Sequence, residues 1–143
     1  MRRYKSWKAA PAIFASLAAL LMLAAVTAHA DLIYVNGTTG NDAWDGLCEV
    51  WDGGTCGPKK TIQAGVNAAS NGDTVIVADG VYVGANNTNV TFNGKAITLR
   101  SKNGPADCIV DVQNTSVPAF RLISGEGPNT ILDGFTVMKC SGC

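Results

Sequence analysis

The sequence predicts an all-β solenoid, a fold in which short parallel strands stack layer upon layer, with one short helix ahead of most of the strands. Three observations support this prediction. Short runs rich in β-branched residues follow Gly72, and most of them are followed within three residues by Gly or Asn. Similar runs recur about every 22 residues, a spacing typical of solenoids. Only one segment has the apolar periodicity of a helix.

The segment 1–30 has the composition of an export signal. Residues 1–8 are cationic, residues 9–26 are mostly apolar, and residues 28–30 (Ala-His-Ala) have the small-x-small pattern that signal peptidase cleaves. We therefore expect cleavage after Ala30 and a secreted or cell-surface protein with no membrane span after cleavage. An uncleaved membrane anchor is the alternative, because the apolar run approaches the length of a membrane span.

Charge and histidine content exclude several functions for the predicted mature chain. The full sequence has 11 basic and 11 acidic residues, but four of the basic ones precede residue 9, which leaves a net charge of −4 after cleavage. We expect no nucleic-acid partner, because no basic patch exists to bind phosphates. The only histidine, His29, lies in the leader. This excludes Ser-His-Asp and Cys-His catalysis and histidine-ligated metal sites from the mature chain.

Residues 31–72 are predicted to form a strand, a loop and a helix. Leu32–Val35 has the composition of a short strand, and Asn36–Pro58 is a loop rich in Gly, Asn and Asp. The helix is predicted over Thr61–Ser70, where three apolar residues recur at helical spacing. Asn71-Gly72 then supplies the stop signal of a helix carboxyl terminus.

Residues 73–143 are predicted to form the first coils of the solenoid. The predicted strands are Thr74–Val77, Val81–Val83, Val90–Phe92, Ile97–Leu99, Cys108–Val112, Ala119–Ile123 and Thr130–Val137. The triplet Ile109-Val110-Asp111 recurs one predicted coil later as Ile131-Leu132-Asp133. We therefore expect these triplets to stack, with Asp111 beside Asp133 as a carboxylate pair of the kind glycosidases use, although aspartate is also common where strands end. An antiparallel sandwich or barrel is the alternative architecture.

Five cysteines follow the leader, and disulfides are expected in an oxidising compartment. Cys48 and Cys56 bracket an Asp- and Gly-rich segment and are predicted to pair. Cys140 and Cys143 form a CxxC pair, which we interpret as structural because no second pair or mature histidine completes a zinc site. Cys108 is expected to be buried.

The loop also carries candidate ligand-binding side chains. Asp42, Asp45 and Asp52 supply carboxylates for a calcium site, although aspartate also caps turns through its own backbone. Trp44 and Trp51 flank these acidic residues, where they would stack on sugar rings or pack over the end of the fold. No other cofactor is indicated by the sequence.

Several of these motifs occur together in a known group of proteins. They are Ile33–Asn36, Gly40–Asp42, Asp45-Gly46, Lys60–Val66, Asn71–Val77, Gly80–Tyr82, Ile97–Leu99 and Leu132–Val137. In these motifs the chain resembles secreted right-handed parallel β-helix proteins of the pectate-lyase-like superfamily. The resemblance implies that Thr61–Ser70 is a capping helix that covers the open end of the first coil. An ordinary surface helix beside a sheet is the alternative.

The resemblance leaves the chemistry open, because the superfamily spans lyases, hydrolases and non-catalytic surface proteins. The sequence shows no catalytic site, so we expect a structural role or binding to polysaccharide or another surface glycan. One alternative is the amino-terminal part of a polysaccharide lyase or glycoside hydrolase acting on pectin-like uronates, and another is an autotransporter passenger. Fewer than three coils of about 22 residues fit between Val75 and Val137, so we also expect the remainder of a longer chain to follow.

Overall fold

The computed structural model of the protein describes residues 29–113 and 115–139. These ranges contain nine strands and one helix. The strands are β1 (Leu32–Val35), β2 (Thr74–Val77), β3 (Gly80–Val83), β4 (Val90–Thr91), β5 (Thr98–Ser101), β6 (Cys108–Asp111), β7 (Phe120–Arg121), β8 (Ile131–Asp133) and β9 (Thr136–Met138), and the helix is α1 (Ile62–Ala68). Most of the predicted leader, and the pair Cys140 and Cys143, lie outside the described residues.

The strands form three parallel sheets. The first sheet has the order β1-β2-β5-β8, the second β3-β6-β9 and the third β4-β7. From β2 onward the chain enters the first, second and third sheets in turn, and it repeats that order from β5. The antiparallel alternative is therefore wrong, because every pair of neighbouring strands in the described residues runs parallel.

Apolar side chains in register form continuous rows through the core. In the first sheet Ile33 pairs with Val75, Val75 with Leu99, and Leu99 with Leu132. The first three are at most 3% exposed, whereas Leu132 is 39% exposed. A row in the second sheet similarly ends at Val137, which is 54% exposed. The core is therefore closed at the β1 end and is more open beside β8 and β9.

The predicted uniform register, in which Ile109 stacks on Ile131, is wrong. Ile109 pairs with Thr136 of β9, while Ile131 belongs to the first sheet. Asp111 and Asp133 consequently lie in different sheets and do not form the expected pair. The coils also differ in length, since the chain from β5 to β8 is longer than the chain from β2 to β5. Lengths vary because surface turns accept extra residues at a small entropic cost.

Helix α1 packs against the β1 end of the core. The Thr61 hydroxyl caps its amino terminus by accepting a hydrogen bond from the Ala64 N–H at 3.3 Å. Ile62 and Val66 are fully buried, and the helix contacts β1, β2 and β4. The buried face of α1 is thus the apolar stripe that the sequence predicts, although the helix is shorter than the predicted range Thr61–Ser70. The described part of the chain has no helix with the length and apolar character needed to span a membrane.

Candidate functional site

A cleft of about 640 Å³ lies between the first sheet and the loop that connects β1 to α1. Tyr34 and Ile76 pair in register and both line it. They alternate along their strands with the buried residues of the core, so they lie on the outer face of the sheet. Trp44 and Trp51 line the loop side of the cleft. The cleft therefore has an apolar floor and an aromatic wall.

The two tryptophans stack on each other. Their ring centroids are 5.3 Å apart and their planes differ by 7°, a favourable offset arrangement. The Trp51 Nε1 donates a hydrogen bond to the Gly54 carbonyl at 2.8 Å, which fixes the orientation of the indole. Gly57 packs so closely on Trp44 that an added Cβ would lie 2.5 Å from its ring. Trp51, at 52% exposed, consequently presents an ordered aromatic surface to solvent.

The predicted disulfide between Cys48 and Cys56 is present and braces this wall. The two Cα atoms are 5.2 Å apart, and the bridged segment contains both Glu49 and Trp51. A backbone hydrogen bond from the Asp52 N–H to the Cys56 carbonyl, at 3.0 Å, also constrains the bridged loop. The aromatic surface is therefore held by covalent and hydrogen-bonded constraints before any ligand arrives.

Charged and amide side chains that also line the cleft form its polar rim. Lys102 forms an ion pair with Glu49, and the Asn103 Nδ2 donates to the Asp79 Oδ2 at 2.8 Å. The hydrogen bond from Lys102 to Glu49, together with the negative charge of Glu49, raises the pKa of the lysine. Both members of the ion pair are about half exposed, so solvent screens part of their attraction.

The aspartates of the predicted calcium site bind backbone instead of facing one another. Asp42 accepts hydrogen bonds from the Thr61 N–H and hydroxyl, both at 2.9 Å, at the start of α1. Asp45 and Asp52 each accept from the N–H two residues further on, at 2.9 Å and 2.7 Å. Within residues 29–113 and 115–139, no three His, Cys, Asp or Glu side chains are grouped to hold a metal ion. Calcium binding by this loop stays a prediction from composition.

Cys108 and Tyr82 are buried with the core and take no part in the cleft. Burial, with a smaller contribution from the charge of Asp79, raises the pKa of the Cys108 thiol to about 12. Burial likewise raises the pKa of Tyr82 to about 12, and its hydroxyl donates to the Ala78 carbonyl at 2.9 Å. A thiol that stays protonated is a poor nucleophile, so Cys108 acts as a core side chain, as the sequence indicates.

Sequence patterns do not reveal the polar rim. Glu49 and Lys102 are 53 positions apart, and no motif links them. Strand pairing places one side of the rim, because the Lys102 N–H donates to the Val77 carbonyl at 2.8 Å and the residues after β5 therefore lie beside Asp79 after β2. Glu49 reaches Lys102 from the loop between β1 and α1. The aromatic wall and the disulfide, by contrast, are close in sequence and were accessible from composition alone.

Comparison with known proteins yields no match to this chain: no family model, no curated protein and no solved structure matches it. The resemblance to pectate-lyase-like proteins therefore stays a prediction from the sequence motifs.

Proposed function

We propose that the three parallel sheets are the sides of a right-handed parallel β-helix of the pectate-lyase-like type, with α1 as its amino-terminal cap. Three features support this proposal. The chain enters the sheets in a repeating order, and buried rows run from one strand to the next. Crossovers between parallel strands of one sheet are right-handed in nearly all proteins. The buried face of α1 lies against β1, β2 and β4, where a solenoid needs a cover.

The loop between β1 and α1 also helps to cap the first coil, because it covers the edge of β1 that pairs with no other strand of the described residues. The Tyr34 N–H donates to the Gly46 carbonyl, and the Lys59 N–H donates to the Tyr34 carbonyl, both at 2.8 Å. The loop thus occupies backbone groups that would otherwise be an exposed strand edge and a site of aggregation. The same loop forms the wall of the cleft, so capping and the candidate site share one segment.

On this scaffold, the cleft binds a glycan and catalyses no reaction. The exposed face of Trp51 carries this proposal. A pyranose ring presents a face of C–H groups that packs well on the electron-rich face of an indole. Asp79 and Asn103 also line the cleft and supply the few polar contacts that orient a ligand. Because the disulfide and the Gly54 hydrogen bond order the indole in advance, little conformational entropy is lost on binding.

The protein acts outside the cytoplasm, in the secreted or cell-surface space. The cationic, apolar and small-residue pattern of residues 1–30 supports export, and the Cys48–Cys56 disulfide is typical of oxidising compartments. Amino-terminal sequencing of the exported protein tests this localisation. The expected first residue is Asp31, and an intact leader on the mature protein would contradict it.

Calorimetric titration with soluble glycans tests the binding function. The full chain, exported through its own leader, is expected to bind a glycan saturably. Trp51→Ala should weaken that binding about tenfold, because truncating an aromatic anchor commonly costs ~1–2 kcal/mol. Ile123→Ala is the matched control, since Ile123 is 67% exposed and does not line the cleft. Equal losses in the two variants, or no binding of any glycan, would overturn the proposal.

The absence of catalysis is tested with pectate as substrate. Incubation with the exported protein should produce no rise in the absorbance of unsaturated uronate products and no new reducing ends. Turnover in either assay would contradict the proposed role. It would favour the alternative that the chain is part of a polysaccharide lyase or glycoside hydrolase.

A further inference from the structure

We infer that the cleft selects uncharged glycans over uronate polymers, an inference that rests on the glycan-binding function proposed above. A uronate carboxylate needs a cation or a set of hydrogen-bond donors that is free to receive it. The charged groups that line the cleft are Glu49, Asp79 and Lys102, so carboxylates outnumber ammonium groups. The lysine in this lining is already paired with Glu49.

The neighbouring cations do not reverse this balance. On the outer face of the first sheet, Arg100 of β5 pairs in register with Ile76 of β2. On its other side Arg100 pairs in register with Asp133 of β8, which carries a negative charge. The Arg100 guanidinium donates to the Ser101 carbonyl at 3.3 Å. Lys59, at the base of the loop, donates its Nζ hydrogens to backbone carbonyls, including that of Asp42 at 3.1 Å.

Asp79 is the group that opposes a bound uronate most directly. Its carboxylate receives the Asn103 amide at 2.8 Å and forms no ion pair among the described residues. The residue lies at the cleft, where it repels a ligand carboxylate and accepts hydrogen bonds from ligand hydroxyls. An uncharged sugar ring stacked on Trp51 can donate hydrogen bonds from its hydroxyls to the Asp79 carboxylate and carries no charge for that carboxylate to repel.

Titration with matched hexasaccharides tests this selectivity. Cellohexaose and maltohexaose are the uncharged probes, and hexagalacturonate is the charged one. At low ionic strength the better uncharged probe should bind at least about tenfold more tightly than hexagalacturonate, and added salt should narrow the difference because it screens repulsion. Hexagalacturonate binding as tightly as the uncharged probes overturns the selectivity and leaves glycan binding intact. Failure of all three probes to bind overturns both.

A charge-changing variant tests the cause. Glu49→Gln combined with Asp79→Asn frees Lys102 and removes both carboxylates while keeping side chains of similar size. The ratio of uncharged to uronate affinity should fall about tenfold. Asp107→Asn is the control, because Asp107 is exposed and does not line the cleft. Equal ratios in the double variant and the wild type, or a similar fall in the control, would show that these carboxylates do not set selectivity.

Discussion

The side-chain amide of Gln63 forms two hydrogen bonds with the backbone of Thr91. Its Nε2 donates to the Thr91 carbonyl at 3.0 Å, and its Oε1 accepts from the Thr91 N–H at 2.8 Å. Thr91 lies in β4, whose only strand neighbour in the described residues is β7. Gln63 therefore takes the place of a neighbouring strand on the other edge of β4. Through this contact α1 satisfies backbone groups as well as covering apolar side chains.

We expect Gln63→Met to destabilise the fold, because it keeps the side-chain volume but leaves two backbone groups of Thr91 unsatisfied. The free energy of unfolding should fall by about 1–3 kcal/mol, measured by urea denaturation followed by circular dichroism. Asn67→Ala is the control: it removes a partner of the Gln63 Nε2 at 2.9 Å but leaves Thr91 paired. A loss no larger than that of the control would show that the amide does not protect β4.

Gly65→Ala should also destabilise the protein, although alanine is the better helix former. A Cβ at Gly65 would overlap the Val35 side chain and would lie 3.0 Å from Val75 Cγ1. Overpacking of a core costs about 1–3 kcal/mol, more than the gain of roughly 1 kcal/mol in helix propensity. Gly127→Ala, where no atom lies within 4 Å, is the control and should change the melting temperature little. A higher melting temperature for Gly65→Ala would contradict the close packing of α1 on β1 and β2.

Strand positions were predictable because they depend on local composition. The predicted ranges Leu32–Val35 and Thr74–Val77 are those of β1 and β2. Thr130–Val137, predicted as one strand, divides into β8 and β9 at Gly134, whose φ of +76° turns the chain from one sheet to the next. An apolar run does not specify where such a turn falls.

Register was not predictable, because it depends on turn lengths that the core does not constrain. The same limit applies to the cleft. Trp44 and Trp51 are identifiable from the sequence as candidate aromatic contacts, whereas the pairing of Glu49, in the loop, with Lys102, just after β5, is visible only in the structure. Residues that meet across a sheet become visible only once its register is known.

Stability should fall as pH rises above about 9. The ordinary pKa values of Tyr82 and Cys108 are 10.0 and 9.0, and burial raises the pKa of each to about 12 in the folded protein. Between the ordinary pKa values and those of the folded protein, the unfolded chain loses protons that the folded chain retains, so deprotonation favours unfolding. The stability that protonated Tyr82 and Cys108 contribute to the fold is fully present below pH 9 and is lost as the pH rises through 12.

Urea denaturation at pH 8, 10 and 11 measures this dependence. Cys108→Ala should lower stability at pH 8, because it leaves a cavity, but should make the decline with pH shallower. Val110→Ala is the control, since Val110 is also fully buried in the second sheet and carries no titratable group. It should lower stability by a similar amount at every pH. A decline that is the same in both variants would contradict the assignment to Cys108.

The Cys48–Cys56 disulfide should contribute to both stability and binding. Replacing both cysteines with serine removes the covalent closure of a short loop, and the free energy of unfolding should fall by about 2–3 kcal/mol. Glycan affinity should fall as well, because Trp51 is no longer ordered in advance and its ordering then opposes binding. Urea denaturation and calorimetric titration measure the two effects.

Reduction of the wild type provides the matched comparison. Dithiothreitol should lower the stability and affinity of the wild type to the values of the double serine variant and should leave that variant unchanged. The outcome separates two roles of the bridge. If stability falls while affinity is retained, the Trp44 stacking and the Gly54 hydrogen bond suffice to order the indole. If neither quantity changes, the disulfide constrains neither the fold nor the cleft.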